Sequence, residues 1–302
     1  MSEVAFAVPD RYDLGRTIGR LAVTPGDPTV LAGGREAWWA TRTPDGPATL
    51  RLRLDRPLLV TTAFGPGAGW LLERADAVAG LRDDVSALSA FEHPLVRRLW
   101  HTFAGVRLPA SGRVFHHIVA AILGQKVTGK EAAHGYRRML RYFAEPVPGP
   151  AGGAPDRLML PPDPVDVAAT PYWKFHPWGV EQKRADTVRR AAAFAARLET
   201  APDSASATKL MTSLPGVGPW TAAEVVRVAY SDGDAVSVGD YHHKNTVAWA
   251  LAGEPRGTDE RMLELLEPFR GHRGRVVTLL ELAGLGAPRF GPRMPVRSFA
   301  RF

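Results

Sequence analysis

Residues 214–222 read Leu-Pro-Gly-Val-Gly-Pro-Trp-Thr-Ala, a string that few chain paths accept. A helix stops at Pro215, and the glycines at 216 and 218 permit a tight turn with positive φ. Pro219 suits the first position of a following helix, where its missing N–H costs nothing. The product is a helix–turn–helix hairpin whose bare backbone N–H groups stand beside a helix N-terminus, a seat for a phosphate oxygen. An ordinary helix connection is the competing reading of the turn taken alone.

Twenty residues after Trp220 stands Val238-Gly239-Asp240-Tyr241-His242. A helix of about 12 residues from Pro219 travels ~18 Å. The loop 231–239 spans up to ~30 Å when extended, enough to return to the hairpin end. Asp240 is therefore expected near Trp220, at the start of the next helix. In isolation it reads as an N-cap.

The rest of the chain constrains the setting. Its 302 residues suit one large domain or two to three smaller ones. With 45% hydrophobic and 23% charged residues, it can bury a core. No apolar run approaches the ~20 residues of a membrane span. The opening MSEVAFAVPD carries no basic n-region, so a soluble, cytoplasmic (nucleoid-associated) protein is expected, with no membrane partner. Cysteine is absent, which excludes disulfides, thiolate nucleophiles, cysteine zinc sites and iron–sulfur clusters. Residues 1–90 hold 10 basic and 11 acidic side chains, against 28 and 20 in residues 91–302. That basic later part points to a polyanionic partner.

Along residues 1–90, Leu14, Ile18 and Leu21 share one face of a short helix. Strands are expected at 37–41, 49–54 and 58–64, with a turn at Thr43-Pro44-Asp45-Gly46-Pro47 joining the first two. A helix is expected over 69–81. From residue 91, helical spacing runs through 93–103, 113–123, 130–143, 181–198, 207–213, 219–230, 241–251, 259–269 and 274–282. Residues 146–164 hold seven Pro and three Gly and read as an extended loop. The tail 287–302, with Arg289, Arg293, Arg297 and Arg301, reads as irregular and able to touch phosphate.

Several patterns carry no chemistry. Residues 124–130 fit G-x-x-x-x-G-K, but Glu131 stands where a P-loop needs Ser or Thr for magnesium. Strands and helices do not alternate around it as a nucleotide-binding domain requires. His116-His117 and His242-His243 are adjacent, so on a helix they point about 100° apart and make no two-ligand face. Trp38, Trp39, Trp70, Trp100 and Trp249 are expected in the core or between domains.

Taken in order, Ile122-Leu123-Gly124-Gln125, Gly179-Val180-Glu181-Gln182-Lys183-Arg184-Ala185, the hairpin and Asp240 resemble the helix-hairpin-helix DNA glycosylase superfamily. Within it, the chain is most similar to the 3-methyladenine DNA glycosylase II family. The resemblance covers most of residues 91–285. It implies an α+β fold: a sheet domain like the TATA-binding protein over 1–90, a helical core in two halves over 91–286, and the basic tail 287–302.

The resemblance also implies roles. The partner is double-stranded DNA containing damaged purines, and the protein is a monomer. Asp240 matches the essential carboxylate, and Trp220 stands where glycosylase–lyases carry lysine, so no Schiff base and no lyase activity are expected. Trp220, Glu224, Tyr241 and Thr278 fall in the substrate pocket; Glu224 and Thr278 replace aromatic residues. Glu224 is suited to a cationic base or an exocyclic amine, or equally to an ion pair with Arg227. Gln125, Lys126, Leu214, Gly216, Val217, Gly218, Thr221 and Lys244 fall on DNA-binding positions. Gln125 or Lys126 fills the gap left by an extruded base. No cofactor or catalytic metal is implied, although the family often holds Na+ or K+ through hairpin carbonyls, here those of Leu214 and Val217. The expected activity is hydrolysis of the N-glycosidic bond of alkylated purines in base-excision repair. The altered pocket leaves two alternatives: a shifted lesion range, or a catalytically silent damage-binding protein.

Overall fold

A computed structural model describes residues 3–288 of the chain. The arginines at 289, 293, 297 and 301 lie outside the described residues. Five strands form one antiparallel sheet in the order β1-β5-β4-β3-β2. They are β1 (Glu3–Ala7), β2 (Val30–Ala32), β3 (Glu36–Thr43), β4 (Gly46–Asp55) and β5 (Leu58–Phe64). The β3–β4 hairpin closes at Pro44-Asp45, with Thr43 opposite Gly46, and its strands run longer than the hydrophobic alternation predicts. β1 and β2 are additions to the sequence reading. β1 shows almost no buried side chain, and β2 has only three residues, so neither carries a periodic signal.

Strand alternation sends neighbouring tryptophans to opposite faces. Trp39 packs with Leu50, Leu52 and Leu59 under α1 (Leu14–Ile18), α2 (Ala68–Leu72) and α3 (Ala75–Val78). Trp38 packs on the other face with Phe64, Leu158 and Leu160. The Pro-rich segment is thus a cover over the sheet, held by two leucines. The single helix expected over 69–81 is two short ones, separated at Glu73-Arg74.

The remaining helices are α4 (Pro94–Thr102), α5 (Val114–Leu123), α6 (Gly129–Tyr142), α7 (Pro164–Ala169), α8 (Gln182–Ala193) and α9 (Ala195–Leu198). They continue with α10 (Ser204–Thr212), α11 (Pro219–Ala229), α12 (His243–Ala252), α13 (Asp259–Leu266) and α14 (Arg273–Leu282). The 181–198 helix breaks at Phe194, and α12 starts two residues later than its spacing predicts. α7 was not anticipated: Asp163 caps it and Pro164 opens it at the end of the Pro-rich loop. The false P-loop becomes the start of α6. Thr128 and Glu131 form a capping box there, which accounts for the acid.

The helices bury two cores. One gathers α5, α6, α8, α10 and α11 around Ile118, Tyr136, Met139, Val188 and Val225. The other gathers α4, α12, α13 and α14 around Val96, Val247, Met262 and Leu280. The 116–117 histidines are structural. His116 meets Thr29 at 3.3 Å and Thr41 at 3.2 Å, tying α5 to the sheet, and His117 meets Ser111 at 2.7 Å in the segment leading into α5. Burial pushes His117 down to about 3 and keeps the ring neutral. Trp249, expected inside, is 40% exposed. Among the described residues no helix is long and apolar enough to cross a membrane.

Candidate active site

The hairpin forms between α10 and α11. Val217 N–H closes it on the Leu214 carbonyl at 3.0 Å, and Gly216 adopts φ +97°. A Cβ at Gly216 would also stand 2.5 Å from Thr187 Oγ1, so both the backbone and the neighbour demand glycine. Gly218 has open space where its Cβ would be, at φ −110°. The amides of Gly216 and Gly218 make no hydrogen bond among the described residues. They lie beside the α11 N-terminus, whose first amides lack helical partners. The turn carbonyls, those of Leu214 and Val217 included, are hard oxygen donors of the kind that suits a monovalent cation.

The Gln125 amide braces this turn, donating to the Gly216 carbonyl and to Thr221 Oγ1, both at 2.9 Å. Thr221 is buried. With Gln125 so engaged, the exposed neighbour is Lys126, held at φ +57°. Arg184 fixes the same loop from beneath. Its guanidinium donates to the Leu123 carbonyl at the end of α5 (2.7 Å) and pairs with Glu181. The 179–185 motif is therefore a tie between α8 and α5.

The loop after α11 brings Asp240 back to the hairpin end. Trp220 Nε1 donates to Asp240 Oδ2 at 3.1 Å, while Oδ1 accepts the backbone N–H groups of His242 (2.7 Å) and His243 (2.9 Å). One carboxylate oxygen thus caps α12 and the other lies at the indole. A Cβ on Gly124 would meet the far edge of the indole at 3.6 Å, so the ring spans from the α5 end to Asp240. Burial opposes ionisation of Asp240, yet the His243 charge, the two backbone N–H groups and the indole N–H outweigh it. Its carboxyl sits below the ordinary value. The Asp240 side chain is 18% exposed.

The other pocket expectations divide. Tyr241, beside Asp240, is 78% exposed. Glu224 pairs with Arg227 at 3.3 Å and accepts the Ser237 hydroxyl, the ion-pair option of its sequence reading. Thr278 is buried; it donates to the Gly274 carbonyl and accepts from Arg20. Lys244 stands 3.7 Å from Asp259 on α13. Sequence reasoning missed Arg20 and Glu281, and read His243 only as one of an adjacent pair. His243 lies 3.9 Å from Asp240, with Glu281 and then Arg20 behind it, brought from distant segments that no local pattern marks. Among the described residues no group of three or more His, Cys, Asp or Glu side chains could hold a metal ion.

No family model and no curated protein matches the chain. Solved structures do. A 3-methyladenine DNA glycosylase from Archaeoglobus fulgidus superposes with a TM-score of 0.73 at 15% identity, over 92% of this chain and 96% of that one. The apo form of an 8-oxoguanine glycosylase/lyase from Clostridium acetobutylicum gives 0.65 at 11% identity, over 93% and 96%. The same enzyme with double-stranded DNA gives 0.59, over 83% and 95%. The fold is that of the helix-hairpin-helix DNA glycosylases: an antiparallel sheet at the N-terminus followed by helices.

Proposed function

We propose that this chain is a monofunctional DNA glycosylase that removes alkylated purines, of the 3-methyladenine and 7-methylguanine type, from duplex DNA. The observation that carries the reading is the 3.1 Å contact between the Trp220 indole and the Asp240 carboxylate, set beside a hairpin with free amides. The hairpin amides grip a phosphate, and Na+ or K+ held at the carbonyls of Leu214 and Val217 would add positive charge there. The target nucleotide leaves the stack at a cost of a few kcal/mol. Lys126, exposed at the end of α5, occupies the gap.

Alkylation at N3 or N7 makes the purine cationic and its glycosidic bond weak. The electron-rich indole of Trp220 favours such a base by ~0.5–2 kcal/mol. As the bond to C1′ breaks, positive charge develops on the sugar, and the Asp240 carboxylate stabilises it. The cationic base leaves as a neutral purine with the bonding electron pair, and water adds to C1′, its released proton passing to the Asp240 carboxylate and on to solvent. Residue 220 offers no amine, so no Schiff base forms and the strand stays intact.

The test is release of free base from methylated duplex DNA, scored separately from binding and from strand cleavage. Free 7-methylguanine with uncleaved strands is the expected result. Binding without release would show a damage-binding protein, and cleaved strands would show a lyase. A second expectation concerns the hairpin. Gly218→Glu places its side chain in open space, so the melting temperature is unchanged, but its charge meets the phosphate and duplex affinity falls about tenfold. Anisotropy titrations at several salt concentrations check this, and unchanged affinity at all of them would count against the phosphate seat.

A further inference from the structure

Behind Asp240 runs a set of partly buried charges that the proposed chemistry does not use. His243, on the first turn of α12, places Nε2 at 3.0 Å from Glu281 Oε1 on α14. The other Glu281 oxygen accepts from Arg20 at 3.1 Å, and Arg227 on α11 stands 3.8 Å from Oε1. Arg227 is held in turn by Glu224. On the opposite side of the imidazole, Nδ1 is buried, has no hydrogen-bond partner among the described residues, and lies 3.9 Å from Asp240 Oδ1.

The ring is therefore flanked by a carboxylate on each nitrogen side. Nε2 must carry a hydrogen to satisfy Glu281. A lone pair on Nδ1 would then face the Asp240 oxygen and be repelled, whereas an N–H there would be attracted. Charge balance leads to the same state. The ring feels three carboxylates (Asp240, Glu224 and Glu281), and two guanidiniums (Arg20 and Arg227) stand on Glu281 behind it. A protonated imidazole makes this cluster neutral.

We infer that His243, buttressed by Glu281, is a positioning residue for Asp240: it sets a positive charge against Oδ1, fixes the carboxylate with Oδ2 at the indole, and keeps it ionised in acid. The inference rests on Asp240 being the reacting carboxylate. Burial opposes the charge on the ring, but the Glu281 hydrogen bond and the charges of Asp240, Glu281 and Glu224 prevail and raise His243 above its ordinary 6.5. Glu281 is held well below the usual carboxylate range against the opposition of burial, by His243, Arg227 and Arg20.

The sign of the test follows. A cation near Asp240 lowers its pKa, so removing that cation raises it, and activity fails at a higher pH as the medium is acidified. In single-turnover release of 7-methylguanine from a duplex, His243→Gln is expected to move the acid limb up by about one pH unit. The extra loss over that at pH 8 is then small at pH 5 and grows toward about tenfold as the pH falls below both midpoints. A side chain that only supports the fold would lower the rate by one factor at every pH.

NMR titration of His243 in the full chain gives a second reading that does not need the glutamine variant to fold. The midpoint is expected above 6.5 in the wild type and lower in Glu281→Gln. An acid limb unmoved in His243→Gln, or a wild-type midpoint at or below 6.5, overturns the inference. Asp240→Asn is run alongside. If it still releases base, the glycosylase reading of Asp240 fails; if it is inactive while the His243→Gln limb is unmoved, only the positioning role fails.

Discussion

Asp240→Asn is expected to lower the single-turnover rate of base release by at least ~100-fold, toward ~10,000-fold, while duplex affinity is kept or rises. The amide is nearly isosteric, and its oxygen can still accept the His242 and His243 N–H groups that Oδ1 accepts now. The start of α12 therefore survives. What disappears is the negative charge at the developing oxocarbenium, and with it most of the differential stabilisation that speeds the step. The new NH2 group faces the indole N–H in place of an acceptor, a local conflict between two donors. Affinity holds because the lost charge is one that repels DNA phosphate. Quench-flow or time-course release, read against anisotropy binding and a melting curve, separates the three effects. Wild-type release by this variant would remove Asp240 from the chemistry.

The largest expected loss of stability lies elsewhere, at Arg275. Its guanidinium on α14 pairs with Asp83, and the two side chains are only 5% and 4% exposed. The second Asp83 oxygen accepts the Leu108 N–H at 2.9 Å. Arg275 thus fastens the helical core of α4, α12, α13 and α14 to the segment that leaves the sheet domain. Arg275→Ala strands a buried carboxylate without its cation, which costs about 3–5 kcal/mol. The expected result is a fall of roughly 10 °C in Tm. The double variant Asp83→Asn with Arg275→Met should recover part of it, since neither partner is then an unpaired charge. A single variant that melts with the wild type would mean that the pair is not buried in solution.

The sequence showed most clearly the parts that are local. The Leu214–Thr221 turn declares itself through Pro and Gly chemistry, and the helices on either side through apolar spacing. The position of Asp240 follows from chain length alone: one helix out, one loop back. The edge strands were invisible for a physical reason. β1 buries almost nothing and β2 is too short to alternate, so each is held by backbone pairing with a neighbour rather than by its own pattern. The end of α8 and the start of α12 were misplaced because a backbone break at Phe194 and the hydrogen bonds of the Asp240 carboxylate to His242 and His243 leave no periodic trace.

The charges behind Asp240 were the least legible part. Arg20 and Glu281 are 261 residues apart in sequence, and neither sits in a motif. His243 was visible only as one of an adjacent pair with no ligand face. Glu224 could be read two ways until Arg227 and Ser237 were seen to hold it. Tertiary placement of polar groups inside a core leaves no periodic trace, whereas a turn or an amphipathic helix does.

The most direct measurement is a crystal structure of the protein on a duplex carrying a cationic azasugar, a mimic of the charged sugar, at one position. The account predicts the mimic everted from the helix, its ring nitrogen within about 3–4 Å of an Asp240 carboxylate oxygen. It also predicts a phosphate on the amides of Gly216 and Gly218. A mimic left stacked in the duplex, or everted but with Asp240 turned toward α12 and distant from the ring, would contradict it.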